Sequence, residues 1–292
     1  MAADPRHARL LTPADLELLV AAAGPGGAGV GPDRLRADPA FVEALLASPA
    51  LHRLVFGMGD RDPLLVASPY LVFSVLVHQV ARELEATSFV EERLGPGRTV
   101  PVFDVATLRE WLARPVHRAF LAELLASYTR VASGTVWQRT GRGWRRRRYS
   151  ELDPLRLAQM LEVVPASQRS TVCRRLGDLA LFLAGVFPEH VESHPLQPRH
   201  LDRIRRLLDA TGLGGPAAPP DELLLSGGPQ RGLWLLEWLG RRAYGLAAGG
   251  GGAAADLPGL VEGFGRARRV LNMLTRRHLY PARERWFPRA ET

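Results

Sequence analysis

The sequence contains no lysine and a single cysteine, Cys173. Without lysine the chain cannot form a GxxxxGK[ST] phosphate-binding loop, a Schiff base with a carbonyl substrate, or the strand lysine of protein kinases. Arginine does not replace lysine as a base, because its pKa lies far above neutral. One cysteine excludes an intramolecular disulfide, a paired-cysteine zinc site and a four-cysteine cluster within one chain. The expected compartment is the reduced cytoplasm, with Cys173 as an inert buried thiol.

Long apolar runs and a secretory leader are also missing. The longest apolar stretch, residues 64–77, is shorter than the roughly 20 residues that a helix needs to cross a bilayer. The first residues, MAADPRHARLLTPADLE, do not combine a charged start with an apolar core, as a signal peptide does. We therefore expect a cytoplasmic protein without membrane contacts.

Isoleucine and asparagine are nearly absent, with Ile204 and Asn272 as their single representatives. Together with the missing lysine, this bias against AT-rich codons is typical of a GC-rich bacterial genome. The 292 residues include 46% hydrophobic ones, which is the composition of a globular protein with one large domain or two ordinary ones.

Positive charge is concentrated in two segments. Residues 139–148, RTGRGWRRRR, contain six arginines and no acid, and residues 266–289 contain eight arginines against Glu284. Because the whole chain has a net charge of only +8, the rest of the protein is mildly acidic. Concentrated positive charge on such a body usually meets an anion.

Helical periodicity dominates the rest of the chain, and proline repeatedly follows a capping Ser, Thr or Asp. That pair of residues marks a helix start. At 135–149 the helical periodicity stops, and two short segments flank a Thr-Gly-Arg-Gly turn. This pattern predicts a β-hairpin. We therefore expect an all-α, multi-helix globular fold with one inserted arginine-rich hairpin. Predicted helices cover residues 13–23, 69–85, 115–128, 166–187, 198–210, 229–247 and 256–278. Others begin at Pro39, Pro49 and Pro154, and Asp104 is expected to cap one that carries Leu108, Trp111 and Leu112.

Three regions follow from the composition along the chain: a helical region at 1–134, the hairpin with further helices at 135–211, and a helix pair with a basic tail at 221–292. The segment 212–220 is rich in Gly and Pro, as linkers are. The three regions either fold separately or form one continuous domain.

The arginine-rich hairpin is the first candidate site. Guanidinium groups bind phosphates, and interleaved tryptophans such as Trp137 and Trp144 stack on bases. The alternatives are a solvated hairpin paired with acids elsewhere on the protein, or an acidic protein partner. Arg276 and Arg277, with Arg283 and Arg285, form a second candidate patch. The predicted nucleic-acid-binding residues are Arg139, Arg142, Trp144, Arg145, Arg146, Arg147, Arg148, Arg276 and Arg277.

Histidines suggest weaker sites. His190 and His194 are four residues apart, the spacing that places two imidazoles on one helix face for a metal. His78, within an apolar helix, is a candidate base, although a histidine there is more often a hydrogen-bonded core residue. The commoner interpretation of His190 and His194 is a pair of surface histidines in a loop, so we assign no metal and no cofactor.

Three functions remain in order of preference. The first is a non-enzymatic binding protein that engages nucleic acid through the hairpin. The second is a helical adaptor that docks a protein through apolar faces and the aromatic tail at Tyr280, Trp286 and Phe287. The third is an enzyme or metalloprotein built on His78 or on His190 and His194. The sequence does not distinguish DNA from RNA and does not reveal the oligomeric state.

Overall fold

A computed structural model describes residues 6–24, 31–57, 59, 61–95, 98–131, 133–140, 143–194, 197–211, 231–249 and 257–287. The described chain is mostly helical, with a hairpin at the predicted place, so the predicted fold class is confirmed. None of its helices is both long and apolar enough to span a bilayer.

Contacts divide the chain into two compact units. The first unit comprises Met1–Val90, Phe103–Thr129 and Arg276–Pro281, and the second comprises Glu91–Val102, Arg130–Thr275 and Ala282–Thr292. The change at Thr129 lies close to the predicted boundary at 134. The predicted linker at 212–220 lies outside the described residues, and the division into three regions stays a prediction.

The first unit consists of helices whose starts are set by short polar side chains. The Thr12 side chain accepts a bond from the Asp15 amide and the Asp15 carboxylate accepts one from the Thr12 amide, which forms a reciprocal capping box. Asp38, Ser48 and Ser68 each cap a helix whose first residue is proline. The helices are α1 (Arg6–Leu10), α2 (Pro13–Ala23), α3 (Pro32–Ala37), α4 (Pro39–Leu46), α5 (Pro49–Phe56), α6 (Pro69–Glu85), α7 (Val105–Ala113) and α8 (Pro115–Ser127), with a 3₁₀ turn at Pro63–Leu65.

Helix α6 is the centre of the first unit. It has the predicted bounds, and an unbroken run from Tyr70 to His78 is buried, as expected for a helix that is apolar on most sides. At its carboxyl end, the Arg109 guanidinium donates to the carbonyls of Leu84, Glu85 and Thr87. These bonds satisfy carbonyl groups that have no partner within the helix.

The second unit contains two two-stranded sheets and the remaining helices. The strands are β1 (Val90–Gly95), which begins at the junction with the first unit, β2 (Arg98–Val102), β3 (Ser133–Thr140) and β4 (Gly143–Ser150). Strand β1 pairs with β2, and β3 pairs with β4. The helices are α9 (Pro154–Ala158), α10 (Arg169–Val186), α11 (Pro188–Ser193), α12 (Pro198–Asp209), α13 (Arg231–Gly249), α14 (Leu257–Leu274) and α15 (Arg283–Trp286), with 3₁₀ turns at Gln159–Glu162 and Ala166–Gln168. A π-helical turn, Thr275–Leu279, has its first residue in this unit and the others in the first unit.

Helices α10, α13 and α14 form the core of the second unit, and glycines allow their close approach. A Cβ atom at Gly240 of α13 would lie 2.2 Å from the Phe264 ring of α14, and one at Gly177 of α10 would lie 2.6 Å from the Tyr244 ring. Both rings are fully buried, so they have little room to move away. Cys173 of α10 is also buried, which raises the pKa of its thiol to about 12.

Several elements were not predicted from the sequence. Helices α1, α3 and α15 are each six residues or shorter, and β1 and β2 form an additional strand pair. Asp104 precedes α7 as predicted, but its side chain makes no capping bond.

Candidate functional site

The β3–β4 ribbon occupies the predicted hairpin. The two strands are antiparallel and form eight cross-strand pairs, from Ser133 opposite Ser150 to Thr140 opposite Gly143. Neither strand contains an acidic residue, so no pair of the ribbon joins an arginine to a carboxylate. Arg142 lies between the strands, outside the described residues. The four consecutive arginines 145–148 lie opposite Gln138, Trp137, Val136 and Thr135, respectively.

The register separates the ribbon into two unlike faces. Successive residues of a strand belong to opposite faces, and directly paired residues belong to the same face. One face, here called the tryptophan face, contains the positions Trp137, Arg139, Trp144, Arg146 and Arg148. The other, called the tyrosine face, contains Val136, Gln138, Arg145, Arg147 and Tyr149.

In the second basic segment, residues 266–289, several arginines bind carboxylates of the protein. The side chain of Arg268 is only 8% exposed, and its guanidinium contacts Glu92 and Glu237. Arg269 also donates to Glu92, with 3.0 Å between its Nε and the carboxylate oxygen. Burial alone would raise the pKa of Glu92, but the hydrogen bonds and charges of the two arginines hold it below the ordinary value.

Arg276 and Arg277 lie on the π-helical turn Thr275–Leu279 and belong to the first unit. Both are exposed, and Nη1 of Arg277 lies 2.9 Å from a Glu83 oxygen. His278 contacts the second oxygen of the same carboxylate at 3.0 Å. The assignment of Arg276 and Arg277 to an anion site stays a prediction, and an anion would compete with Glu83 for Arg277.

The aromatic tail that was expected to dock a protein is largely internal. Trp286 and Phe287 are buried, and the Phe287 ring packs edge-on against Phe182 with centroids 5.1 Å apart. Arg283 donates to a Glu189 oxygen at 3.0 Å, and its guanidinium lies 4.9 Å from the centre of the Phe187 ring. The prediction was wrong for Trp286 and Phe287, because both rings complete the core of the second unit. Tyr280 is exposed.

A cluster of buried polar side chains surrounds Glu43 in the first unit. One Glu43 oxygen lies 2.8 Å from Nε2 of His7, and the other lies 2.7 Å from Nη2 of Arg118 and 3.3 Å from Nε2 of His78. The Tyr70 hydroxyl lies 3.0 Å from Nδ1 of His7. The Glu43 cluster (His7, Glu43, Tyr70, His78 and Arg118) thus joins α1, α4, α6 and α8.

The pKa values of the cluster favour an ionised glutamate and a neutral His78. Burial would raise the pKa of Glu43, but the hydrogen bond from His7, the electrostatic interaction with His78, and the charge and hydrogen bond of Arg118 lower it to about 2. Burial lowers the pKa of His78 to about 3, despite the opposing attraction of Glu43. His78 is 6% exposed and contacts Glu43, which agrees with the commoner of its two interpretations, a core histidine.

The chain of contacts from Tyr70 through His7 to Glu43 has the order of a nucleophile, a base and an orienting acid. All three residues are at most 8% exposed. In this structure the chain links helices, and its hydroxyl does not reach the surface where a substrate would bind.

His190 and His194 come together as predicted from their spacing, but their rings stack. The centroids are 4.6 Å apart at an interplanar angle of 25°. Burial, followed by the proximity of His194, lowers the pKa of His190. Among the described residues, no group of three or more His, Cys, Asp or Glu side chains is arranged to hold a metal ion.

In comparisons with known proteins, no family model, no curated protein and no solved structure matches this chain. The functional proposals for this protein therefore rest on its own residues.

Sequence reasoning missed every member of the Glu43 cluster except His78. His7 lies 36 positions from Glu43, and Arg118 lies 75 positions from it. No local spacing connects such residues. The only signals in the sequence are an acid within the apolar segment FVEALL and a histidine within VLVHQV, because charged residues are rarely buried unless they are paired.

Proposed function

We propose that this protein binds nucleic acid through the β3–β4 ribbon and acts as a binding protein, not as an enzyme. The observation that carries the proposal is the register, which gathers Arg139 and the four arginines 145–148 on a ribbon without acidic residues. Eight residues of strand extend about 25 Å, which is long enough to follow several phosphates. Guanidinium groups match phosphate geometry in pairs of hydrogen bonds.

The contrast with other arginines of the chain supports this assignment. Arg118, Arg268, Arg277 and Arg283 each bind a glutamate, so part of their charge is neutralised within the protein. The strands of the ribbon supply no such carboxylate. A two-stranded ribbon also fits the major groove of DNA, which is about 12 Å wide.

The test is a salt series of nucleic-acid binding by the variant R145Q/R146Q/R147Q/R148Q. Fluorescence anisotropy with a labelled oligonucleotide should show that the wild-type affinity falls steeply with salt, because bound arginines release counterions. Each lost phosphate contact reduces the magnitude of the slope of log K against log salt by about 0.7–0.9. The variant should therefore lose affinity, and the magnitude of its slope should fall by up to about 3–4.

The matched control is R36Q/R53Q/R203Q/R241Q, which removes the same charge from solvent-accessible helix positions. Its binding should stay close to that of the wild type. The variant R145K/R146K/R147K/R148K, which retains the charge, should keep most of the salt dependence. Wild-type protein without salt-sensitive binding, or equal losses in the glutamine variant and the control, would refute the proposal.

A helical adaptor is the second candidate, and one observation favours it. Phe89 and Phe103 lie side by side with ring centroids 5.9 Å apart, and they are 41% and 73% exposed. Exposed aromatic residues are enriched in protein interfaces. An acidic protein partner on the ribbon belongs to the same alternative. A stoichiometric protein complex that forms without nucleic acid and is weakened by F89S/F103S would favour the adaptor.

A further inference from the structure

The two faces of the ribbon have nearly equal charge but different chemistry. The tryptophan face combines Trp137 and Trp144 with Arg139, Arg146 and Arg148, whereas the tyrosine face has Arg145 and Arg147 without a tryptophan. Charge alone would make either face suitable for a phosphate backbone. The distribution of the indoles is therefore the feature that distinguishes the two faces.

On the tryptophan face the aromatic and cationic positions alternate in both directions. Trp137 is paired with Arg146, and the next pair on the same face is Arg139 with Trp144. Directly paired positions are about 4.5–5.5 Å apart at Cβ, and diagonal positions are about 7–8 Å apart. Each tryptophan position therefore has an arginine position directly across the ribbon, and the two tryptophan positions are diagonal neighbours.

This alternation fits a strand whose bases are unpaired. In a duplex the flat faces of the bases are covered by their neighbours, and only the base edges and the phosphates are open to a protein. In a single strand the base faces are free to stack on aromatic side chains, while arginines contact the phosphates between them. Two indole positions next to three arginine positions supply both contacts within one short surface.

We propose that the tryptophan face binds single-stranded nucleic acid by stacking bases at Trp137 and Trp144 and holding phosphates at Arg139, Arg146 and Arg148. This inference rests on the proposed function and specifies its substrate class. It predicts little sequence preference, because every base has a face that can stack. The tyrosine face contributes charge only.

The first experiment compares a single-stranded 12-mer with a blunt duplex of the same sequence, using the full chain and one salt concentration. The wild type should bind the single strand more tightly. The variant W137L/W144L should lose about tenfold or more in affinity for the single strand, since each stacked base contributes substantially, and much less for the duplex. W137F/W144F, which keeps an aromatic ring at both positions, should recover most of the loss.

The second experiment separates the faces without changing a tryptophan. R146Q/R148Q and R145Q/R147Q remove equal charge from the same strand, but from the tryptophan face and the tyrosine face, respectively. The first pair should weaken single-strand binding several-fold more than the second. This comparison remains informative even if the tryptophan variants fail to fold.

The outcomes distinguish the inference from the proposed function. Equal binding of single strand and duplex, or equal effects of the two arginine pairs, would overturn the inference while the arginine-dependent, salt-sensitive binding stands. Absence of binding to either oligonucleotide would overturn both.

Discussion

The strands of the β3–β4 ribbon carry five arginines and the C-terminal segment at 266–289 carries eight, and the two segments also differ in the position of the acids. In the C-terminal segment, Arg268, Arg269, Arg277 and Arg283, here called the paired C-terminal arginines, contact Glu92, Glu83 or Glu189. In the ribbon, every arginine of β4 lies opposite a neutral residue. The charge count of a segment therefore does not reveal which of its arginines serve the fold; the placement of carboxylates identifies those that do.

Mutations in the two segments should therefore have different consequences. Removing a carboxylate that holds a buried arginine should cost stability, because the remaining charge loses its counter-ion in a poorly solvated position. Removing an arginine from the ribbon should cost binding and leave stability nearly unchanged. The loss of stability should be largest where the carboxylate is most enclosed and should vanish at the ribbon.

The largest effect is expected for Glu43→Gln. This substitution leaves Arg118, whose side chain is 15% exposed, without its carboxylate and removes an acceptor from His7 and His78. The free energy of unfolding should fall by about 3 kcal/mol, measured by urea denaturation near pH 7. Asp33→Asn is the control, because Asp33 pairs with Arg36 at a fully exposed position, and its midpoint should not move. A Glu43→Gln midpoint equal to the wild type would contradict a stabilising role of the cluster.

A smaller loss is expected for Glu92→Gln. Glu92 is 16% exposed and binds both Arg268 and Arg269, but Arg268 also retains Glu237 at 3.4 Å. The free energy of unfolding should therefore fall by about 1–2 kcal/mol. The neighbouring Glu91→Gln removes the same charge from an exposed position of β1 and should have a smaller effect. Equal losses for Glu91→Gln and Glu92→Gln would show that net charge, not the pair, is responsible.

The smallest effect on stability is expected for the ribbon itself. R145Q/R146Q/R147Q/R148Q should change the free energy of unfolding by no more than about 0.5 kcal/mol, because none of the four arginines lies opposite a carboxylate in the register. Thermal melting followed by circular dichroism measures this directly. A large drop in melting temperature would assign these arginines to the fold, and the contrast with the paired C-terminal arginines would disappear.

Much of the fold could be predicted because its signals are local. Ser68 followed by Pro69 predicts the start of α6, and the Ser68 side chain makes the expected capping bond. The hairpin was predicted from a glycine-containing turn between two β-forming segments, and its strands extend only slightly beyond the expected 135–149. Capping and turn formation depend on residues within a few positions of each other, so a single sequence contains them.

The elements that were missed depend on distant partners. Helix α1 has only five residues, too few to be stable alone. It is held by Arg6, which contacts Glu123 at 3.1 Å, and by His7, which contacts Glu43 and Tyr70. For the candidate site, the sequence predicted which residues are cationic, but only the register of β3 with β4 shows that both tryptophans share one face.

The alternation of the ribbon also constrains how its length can change during evolution. Inserting or deleting one strand residue between Trp137 and Trp144 would move the positions beyond it to the opposite face, so that Trp144 would no longer share a face with Trp137. Inserting or deleting two residues would keep both tryptophans on the same face and change only the distance between them along the ribbon. Length variants of this hairpin that keep its binding should therefore differ by even numbers of strand residues, while substitutions among cationic residues remain tolerated within each face.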